Sequence, residues 1–402
     1  MRQLITIALF FNFIFGASAQ KTDEVTSSYQ NVADKLLSTD GKLVIGGYGE
    51  IHYNQPIKSD IRYNGTLDVH RMVLLFGYNF NSRTQFISEL EFEHVSEVYV
   101  EQAFLQHKLT SFANFRAGLL LVPMGIVNEY HEPTTFNGVE RPLVDSKIAP
   151  STWREIGIGF SGNIIPASLK YQAYLVNGFN GYKAGAGVFN GNNGFRSGRQ
   201  KGAESYISSP NFTGKIEYYG IRGLNLGLSG YVGNTQSTLY NGLNKQNAAA
   251  VAKADSSVTS IAMLGLDARY NKGGLQMRGQ LYYSSIGNTE AYNKLTAKNG
   301  VNNDLGSAMM GYYVEAGYDI LSFFSGSKTE LVPFVRYENY NTHLQTAGAL
   351  VKNLAYDNNV ITSGLTYKIA KGVVLKADMQ FVKSKLATEY SKVFSAGVGV
   401  MF

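Results

Sequence analysis

The stretch Ser391-Lys392-Val393-Phe394-Ser395-Ala396-Gly397-Val398-Gly399-Val400-Met401-Phe402 decides how this chain is read. Taken two residues at a time, Phe394, Ala396, Val398, Val400 and Phe402 make one apolar face. Val393, Ser395, Gly397, Gly399 and Met401 make the other, which is smaller and wetter. A strand sends successive side chains to opposite faces, so this segment is a strand with one side turned to something oily.

Working outward, the same period of two begins near Gly41 and runs to the end. The alternation predicts sixteen strands, at 42–54, 66–79, 83–94, 98–109, 113–123, 153–164, 168–178, 211–219, 223–233, 258–271, 274–286, 307–320, 329–342, 358–369, 372–384 and 391–402. Most are long enough to cross a bilayer when tilted. One face is unambiguous in several: Ile156, Ile158 and Phe160 against Glu155, Gly157 and Ser161, or Val335 and Tyr337 against Arg336 and Glu338. The connections sort by parity. Short, turn-rich ones fall at 79–82, 163–167, 219–223, 271–274 and 370–372; the long ones at 123–152, 179–210, 234–257, 287–306 and 343–357 all lie on the other side. A transmembrane barrel sorts its inner turns and outer loops in this way. The predicted fold class is therefore all-β: a transmembrane antiparallel β-barrel of about 16 strands over residues 42–402, with Tyr48, Tyr53, Tyr78, Phe80, Tyr282, Tyr283, Tyr312, Tyr313, Tyr337 and Tyr340 suited to interfacial girdles. Soluble β-sandwiches or a propeller would want a repeat or a domain break, and neither is visible after residue 41.

Composition agrees. The 402 residues include no cysteine, 43 Gly, 27 Tyr, 23 Phe and 8 Pro, with a formal net charge of +6. No disulfide framework is possible, and a mild, dispersed positive balance argues against nucleic acid as a partner. At the N-terminus, Arg2, an apolar run from Leu4 to Phe15 and Ala17-Ser18-Ala19 predict a signal peptide at 1–19, cleaved before Gln20. Residues 20–41 read as a polar periplasmic lead-in, with one short amphipathic helix available between Tyr29 and Leu37.

A lumen that selects needs a narrow point, and residues 123–152 are built for one. They carry four of the eight prolines and mix Glu129, Glu132, Glu140, Arg141, Asp145 and Lys147 with Phe136, Leu143 and Val144. The expectation is a loop folded inward, its apolar residues against the wall and its charges over the opening.

Here the motifs carry a resemblance. Phe115-Arg116-Ala117-Gly118 through Val122-Pro123-Met124-Gly125, then Glu140-Arg141-Pro142, then Arg154-Glu155-Ile156-Gly157 resemble the succession found in the phosphate-selective porin O and P family, especially its Bacteroidetes-type members. The likeness covers the mature chain in architecture and residues 115–162 in motif. It implies a trimeric outer-membrane channel for passive diffusion of small hydrophilic solutes, with anions such as phosphate favoured. It also implies no cofactor, contact with outer-membrane lipid, and assembly through the aromatic end Phe402, which resembles the barrel-assembly signal. The pore residues it points to are Arg116, Arg141, Lys147, Arg154, Arg278, Arg336 and Lys376, with Glu140. A guanidinium fork binds phosphate bidentately, and several in series pass an ion without trapping it.

Acids temper this. Glu89, Glu91 and Glu93 share one face, with Glu50 and Glu101 nearby, so acids on early strands facing bases on later ones predict a transverse field. Two other readings stay open. A surface adhesin or receptor would use the long loops, and a barrel enzyme would need a nucleophile or activated water beside a histidine. His52, His70, His94, His107, His131 and His343 stand in no catalytic or metal-ligand spacing. The glycines of 179–198 read as a flexible basic loop.

Overall fold

The protein is described from a computed structural model covering residues 31, 33, 37 and 41–402. The expected signal peptide at 1–19 and most of the lead-in lie outside the described residues. All sixteen expected strands are present within three residues at each end. They are β1 (Leu43–Ile57), β2 (Thr66–Asn79), β3 (Thr84–Glu93), β4 (Glu97–Lys108), β5 (Asn114–Leu121), β6 (Arg154–Ile164), β7 (Leu169–Val176) and β8 (Asn211–Ile221). The second half holds β9 (Leu224–Asn234), β10 (Ser260–Lys272), β11 (Leu275–Ile286), β12 (Ala308–Tyr318), β13 (Glu330–Gln345), β14 (Asp357–Ala370), β15 (Val373–Ser384) and β16 (Ser391–Met401).

Each pairs antiparallel with its sequence neighbour, and the terminal strand closes the sheet: Tyr48 lies opposite Met401 and Ile57 opposite Lys392. Closure leaves no free sheet edge. Turns at one end are as short as two residues, and the one between β8 and β9 needs Gly223 at φ +83°, where a Cβ would come 2.5 Å from Asn271 O. The four longest connections, 122–153, 177–210, 235–259 and 287–307, emerge at the other end.

Side chains follow the alternation. In β8, Phe212 and Ile216 are 48% and 52% exposed on the outside, while Lys215 and Glu217 on the inside are each 3% exposed. A continuous outer belt of this kind suits hydrocarbon. The expected girdle divides, however: Tyr283, Tyr337 and Phe80 face out, whereas Tyr48, Tyr282, Tyr313 and Tyr340 are buried on the inner side. Adjacent tyrosines in a strand cannot share a face, and the inner ones serve the lumen.

Two bulges reset the alternation. Glu50 pairs with Arg71 and Ile51 with Val69, so His70 is an extra residue and both it and Arg71 turn inward. Glu89 pairs with Gln102 and Leu90 with Val100, so Glu101 and Gln102 are both buried inside. Bulges re-aim side chains in this way.

Candidate channel interior

Residues 122–153 are almost entirely buried and bond to the inner wall around most of its circumference. The reason is visible in the donors. A loop removed from water must satisfy its backbone, and wall side chains provide the acceptors. Gly125 N–H donates to Ser229 Oγ at 3.3 Å, Ile126 N–H to Gln280 Oε1 at 2.6 Å, Val139 N–H to Asp378 Oδ2 at 2.6 Å and Val144 N–H to Glu338 Oε2 at 3.3 Å. Phe136 and Val144 are buried as expected, and Lys376 Nζ sits 3.7 Å over the Phe136 ring. At the far side Asn31 Nδ2 donates to Glu129 O at 2.9 Å, and Gln85 Nε2 donates to Leu37 O at 3.2 Å, so the described lead-in residues also touch this assembly.

Among the charges inside the barrel, three compact groups are built around arginine or lysine. In the first, Arg71 bridges Glu50 at 2.8 Å, Glu91 at 3.0 Å and Glu93 at 3.7 Å, and Arg141 reaches Glu50 at 3.7 Å. His52 links Glu50 at 3.3 Å to Glu140 at 3.2 Å. Burial alone would raise the Glu140 carboxyl; the hydrogen bond and charge of His52 overcome that and hold it down at about 2. In the second, Lys215 meets Glu129 at 2.8 Å and Asp267 at 3.6 Å, while Arg269 meets Glu217 at 2.7 Å. In the third, Arg336 joins Glu338 at 2.8 Å and Glu315 at 3.2 Å, Arg278 joins Glu315 at 3.1 Å, and both arginines donate to loop carbonyls: Arg278 to Thr135, Arg336 to Asn137 and Glu140.

The expected transverse field is therefore corrected. Acid and base stand two apart on the same strand, as in Lys215 and Glu217 or Arg336 and Glu338, and they neutralise one another locally. An ionised group taken out of water needs a counter-charge at contact range, and opposition across a wide lumen cannot supply it.

The expected pore residues are dispersed. Arg116, on β5, donates to Gln106 Oε1 at 2.7 Å and Tyr174 Oη at 3.2 Å. Glu140 and Arg141 belong to the first group, Arg278 and Arg336 to the third. Arg154 and Lys147 lie toward the long-loop mouth. Arg154 is buried with its guanidinium 5.7 Å over Tyr99, and Lys201 takes the same ring at 4.7 Å. Arg199 donates to Ser151 O at 2.5 Å and Thr152 Oγ1 at 2.8 Å, and Arg196 to Ser151 Oγ at 3.4 Å. Among the described residues none of Arg154, Arg196, Arg199 and Lys201 is ion-paired. Burial, then the like charges of Arg196 and Arg154, push Arg199 down to about 9.

The expected flexible loop at 179–198 is also corrected. Asn180–Lys183, Ala186–Gly187 and Gln236–Ser237 form a small three-stranded sheet, and Phe179, Phe189 and Phe195 are buried with Trp153, Tyr231 and Tyr292. Trp153 stacks on Phe179 at 4.2 Å between centroids. Its glycines let backbone approach these rings: a Cβ at Gly198 would lie 2.3 Å from the Phe189 ring.

Sequence reasoning passed over Arg71, Lys215 and Arg269. The last two were available from alternation, because Thr213, Lys215 and Glu217 oppose Phe212 and Ile216, and Asp267 and Arg269 oppose Leu266. Arg71 was hidden by the bulge.

An uncharacterized protein of Aquifex aeolicus (strain VF5) is 32% identical over 359 residues, covering 86% of this chain and 77% of that one. The chain belongs to the family of that protein. No protein-family model matches it. Among solved structures, the outer membrane channel DcaP of Acinetobacter baumannii superposes with a TM-score of 0.58 at 12% identity, covering 90% of this chain and 97% of that chain. Salmonella typhi OmpF, in complex with daunomycin, gives 0.57 at 13%, covering 90% and 97%. The anion-selective porin from Comamonas acidovorans gives 0.54 at 14%, covering 90% and 99%. At such identities the likeness is one of fold: a porin-type sixteen-stranded barrel.

Proposed function

We propose that the chain is an outer-membrane channel for passive diffusion of small hydrophilic solutes, narrowed by residues 122–153 and favouring anions such as phosphate. The observation that carries the reading is the closed barrel itself, apolar outside and densely charged inside, with one long connection bonded to its inner wall. An interior rich in ionised groups suits a water-filled passage better than a dry packed core.

The anion preference rests on the mouth rather than the wall. Arg71, Lys215, Arg269, Arg278 and Arg336 on the wall are matched by carboxylates, whereas Arg154, Arg196, Arg199 and Lys201 gather around Ser151, Thr152 and Tyr99 with no acid among the described residues at ion-pair distance. Guanidinium groups so placed offer a fork to phosphate. The Comamonas porin of the same fold is described as anion-selective, and Vibrio cholerae OmpT, also of this fold, is described in a trimer form. On this reading the chain is exported by its 1–19 signal, assembles through the exposed Phe402, and works as a homotrimer of phosphate-selective O and P type.

Single-channel conductance of the refolded protein in a planar bilayer, under a KCl gradient and then with phosphate added, tests this. Expected are discrete openings, a reversal potential on the anion side and block by phosphate that Arg199→Ala weakens. Absence of openings overturns the channel, and a cation-side reversal potential overturns the anion preference.

A further inference from the structure

Glu89 of β3, Glu101 of β4 and His131 of the 122–153 segment bring their ligand atoms within 4.8 Å of one another, and all three residues are buried. Three features separate this group from an ordinary ion pair. The first is the bulge at this place: Glu101 is the extra residue of the β3–β4 pairing, and it and Gln102 turn inward in succession. A bulge that drives a carboxylate into a fully buried position beside another carboxylate is costly unless something rewards it.

The second is the state of the imidazole. His131 Nδ1 lies 3.2 Å from Asn128 O, which accepts its proton, and Nε2 faces the carboxylates, 3.6 Å from Glu101 Oε2. Metal-binding histidines are characteristically held by such a bond on the other ring nitrogen. The third is unmet bonding capacity: His131 Nε2 and Glu101 Oε1 have no hydrogen-bond partner among the described residues, although both are removed from water. The remaining neighbours complete a second layer. Gln102 Nε2 donates to Glu89 Oε2 at 2.6 Å and Tyr48 Oη to Glu101 Oε2 at 3.3 Å. Arg71 is already engaged by Glu50 and Glu91.

We propose that Glu89, Glu101 and His131 bind one divalent transition-metal cation, of which Zn²⁺ is the best match, and that the metal pins the inward segment to the β3–β4 wall. One imidazole nitrogen with two carboxylates suits zinc, and its double charge balances two buried anions.

The folded, detergent-solubilised full-length barrel, stripped with EDTA, is titrated with ZnSO4 by calorimetry and by fluorescence of Trp153. Trp153 is the single tryptophan of the chain, and its backbone N–H is held by Asn128 Oδ1 at 2.7 Å. Expected is one saturable equivalent per chain, weakened more than about tenfold by His131→Ala and by Glu101→Gln. His107→Ala, whose ring bonds Thr84, leaves it unchanged. No saturable site in the unmutated barrel overturns the proposal. So does binding that survives His131→Ala and is lost in His94→Ala, which would place the metal at Asp68, His70 and His94 near the mouth. Should the variants fail to fold, as judged by heat-modifiable electrophoretic mobility, Co²⁺ bound to the unmutated barrel decides. Visible bands of a nitrogen and oxygen site support the proposal, and the spectrum of aqueous cobalt overturns it.

Discussion

Two long connections leave the same end of the barrel and come to rest in different ways. Residues 122–153 turn inward, and their backbone is satisfied by wall side chains: Ser229, Gln280, Asp378 and Glu338 accept from Gly125, Ile126, Val139 and Val144. Residues 177–210 close on themselves and their neighbouring loop, with Val188 N–H to Gly181 O, Gly194 N–H to Asn190 O and a core of Phe179, Phe189 and Phe195. One is held by charge and hydrogen bonds to a distant surface, the other by aromatic burial among its own kind. The difference teaches how to read charged residues in this barrel. Asp378, Glu338 and Arg336 are anchors for the inward loop as much as they are pore lining.

The largest expected effect follows directly. Replacing residues 126–148 by a short Gly–Ser linker removes the inward segment and should raise single-channel conductance roughly twofold or more. Replacing residues 183–197 in the same way should leave conductance within the scatter of the unmutated channel. Equal effects of the two deletions would erase the distinction between the loops.

A smaller effect sharpens it. Arg336 is fully buried, paired with Glu315 and Glu338, and donates to two loop carbonyls. Arg336→Met strands two buried carboxylates and should cost about 3–5 kcal/mol. Phe179→Ala empties an aromatic position and should cost a similar amount, about 3–5 kcal/mol. Both should lower the temperature at which the barrel loses its folded electrophoretic mobility, yet only Arg336→Met should broaden the conductance distribution, because only it frees the inward segment.

The barrel was legible in the sequence because strands that face oil on one side and water on the other leave a period of two in every crossing. Ile156, Ile158 and Phe160 stand outside, and Glu155 and Ser161 inside, as the alternation requires. The inward course of residues 122–153 was legible in outline from prolines and buried-looking apolar residues, and Phe136 and Val144 do lie against the wall. The pairing of charges was not. Whether Arg336 is a free cation or a clasped one depends on Glu315, twenty-one residues away, and on loop carbonyls nearly two hundred away, and no local pattern encodes those distances. Bulges hide in the same way. At His70 and Arg71, and again at Glu101 and Gln102, two successive residues turn inward, so a strict period assigns one of each pair to the wrong face.

The smallest effect concerns Asp145 of the inward loop, which has no cation at contact among the described residues. Asp145 is buried, with Oδ1 accepting from Gln280 at 2.6 Å and Tyr282 at 2.9 Å, and Oδ2 without a hydrogen-bond partner among the described residues. Burial pushes its carboxyl up to about 7, against those two hydrogen bonds. An acid whose folded pKa exceeds its unfolded one binds a proton more tightly in the folded state. Its contribution is full below the unfolded value and disappears as pH rises through about 7. From pH 6 to pH 8 Asp145 should therefore contribute a loss of about 1.4 kcal/mol to the docked loop, and Asp145→Asn should remove that share of the slope. Limited proteolysis of residues 122–153 across this range measures it. Cleavage should rise with pH in the unmutated barrel and rise less steeply in the variant, while cleavage within 177–210 should not respond in either. A slope undiminished in Asp145→Asn would move the titration to another group and take Asp145 out of the account of how the inward loop is held.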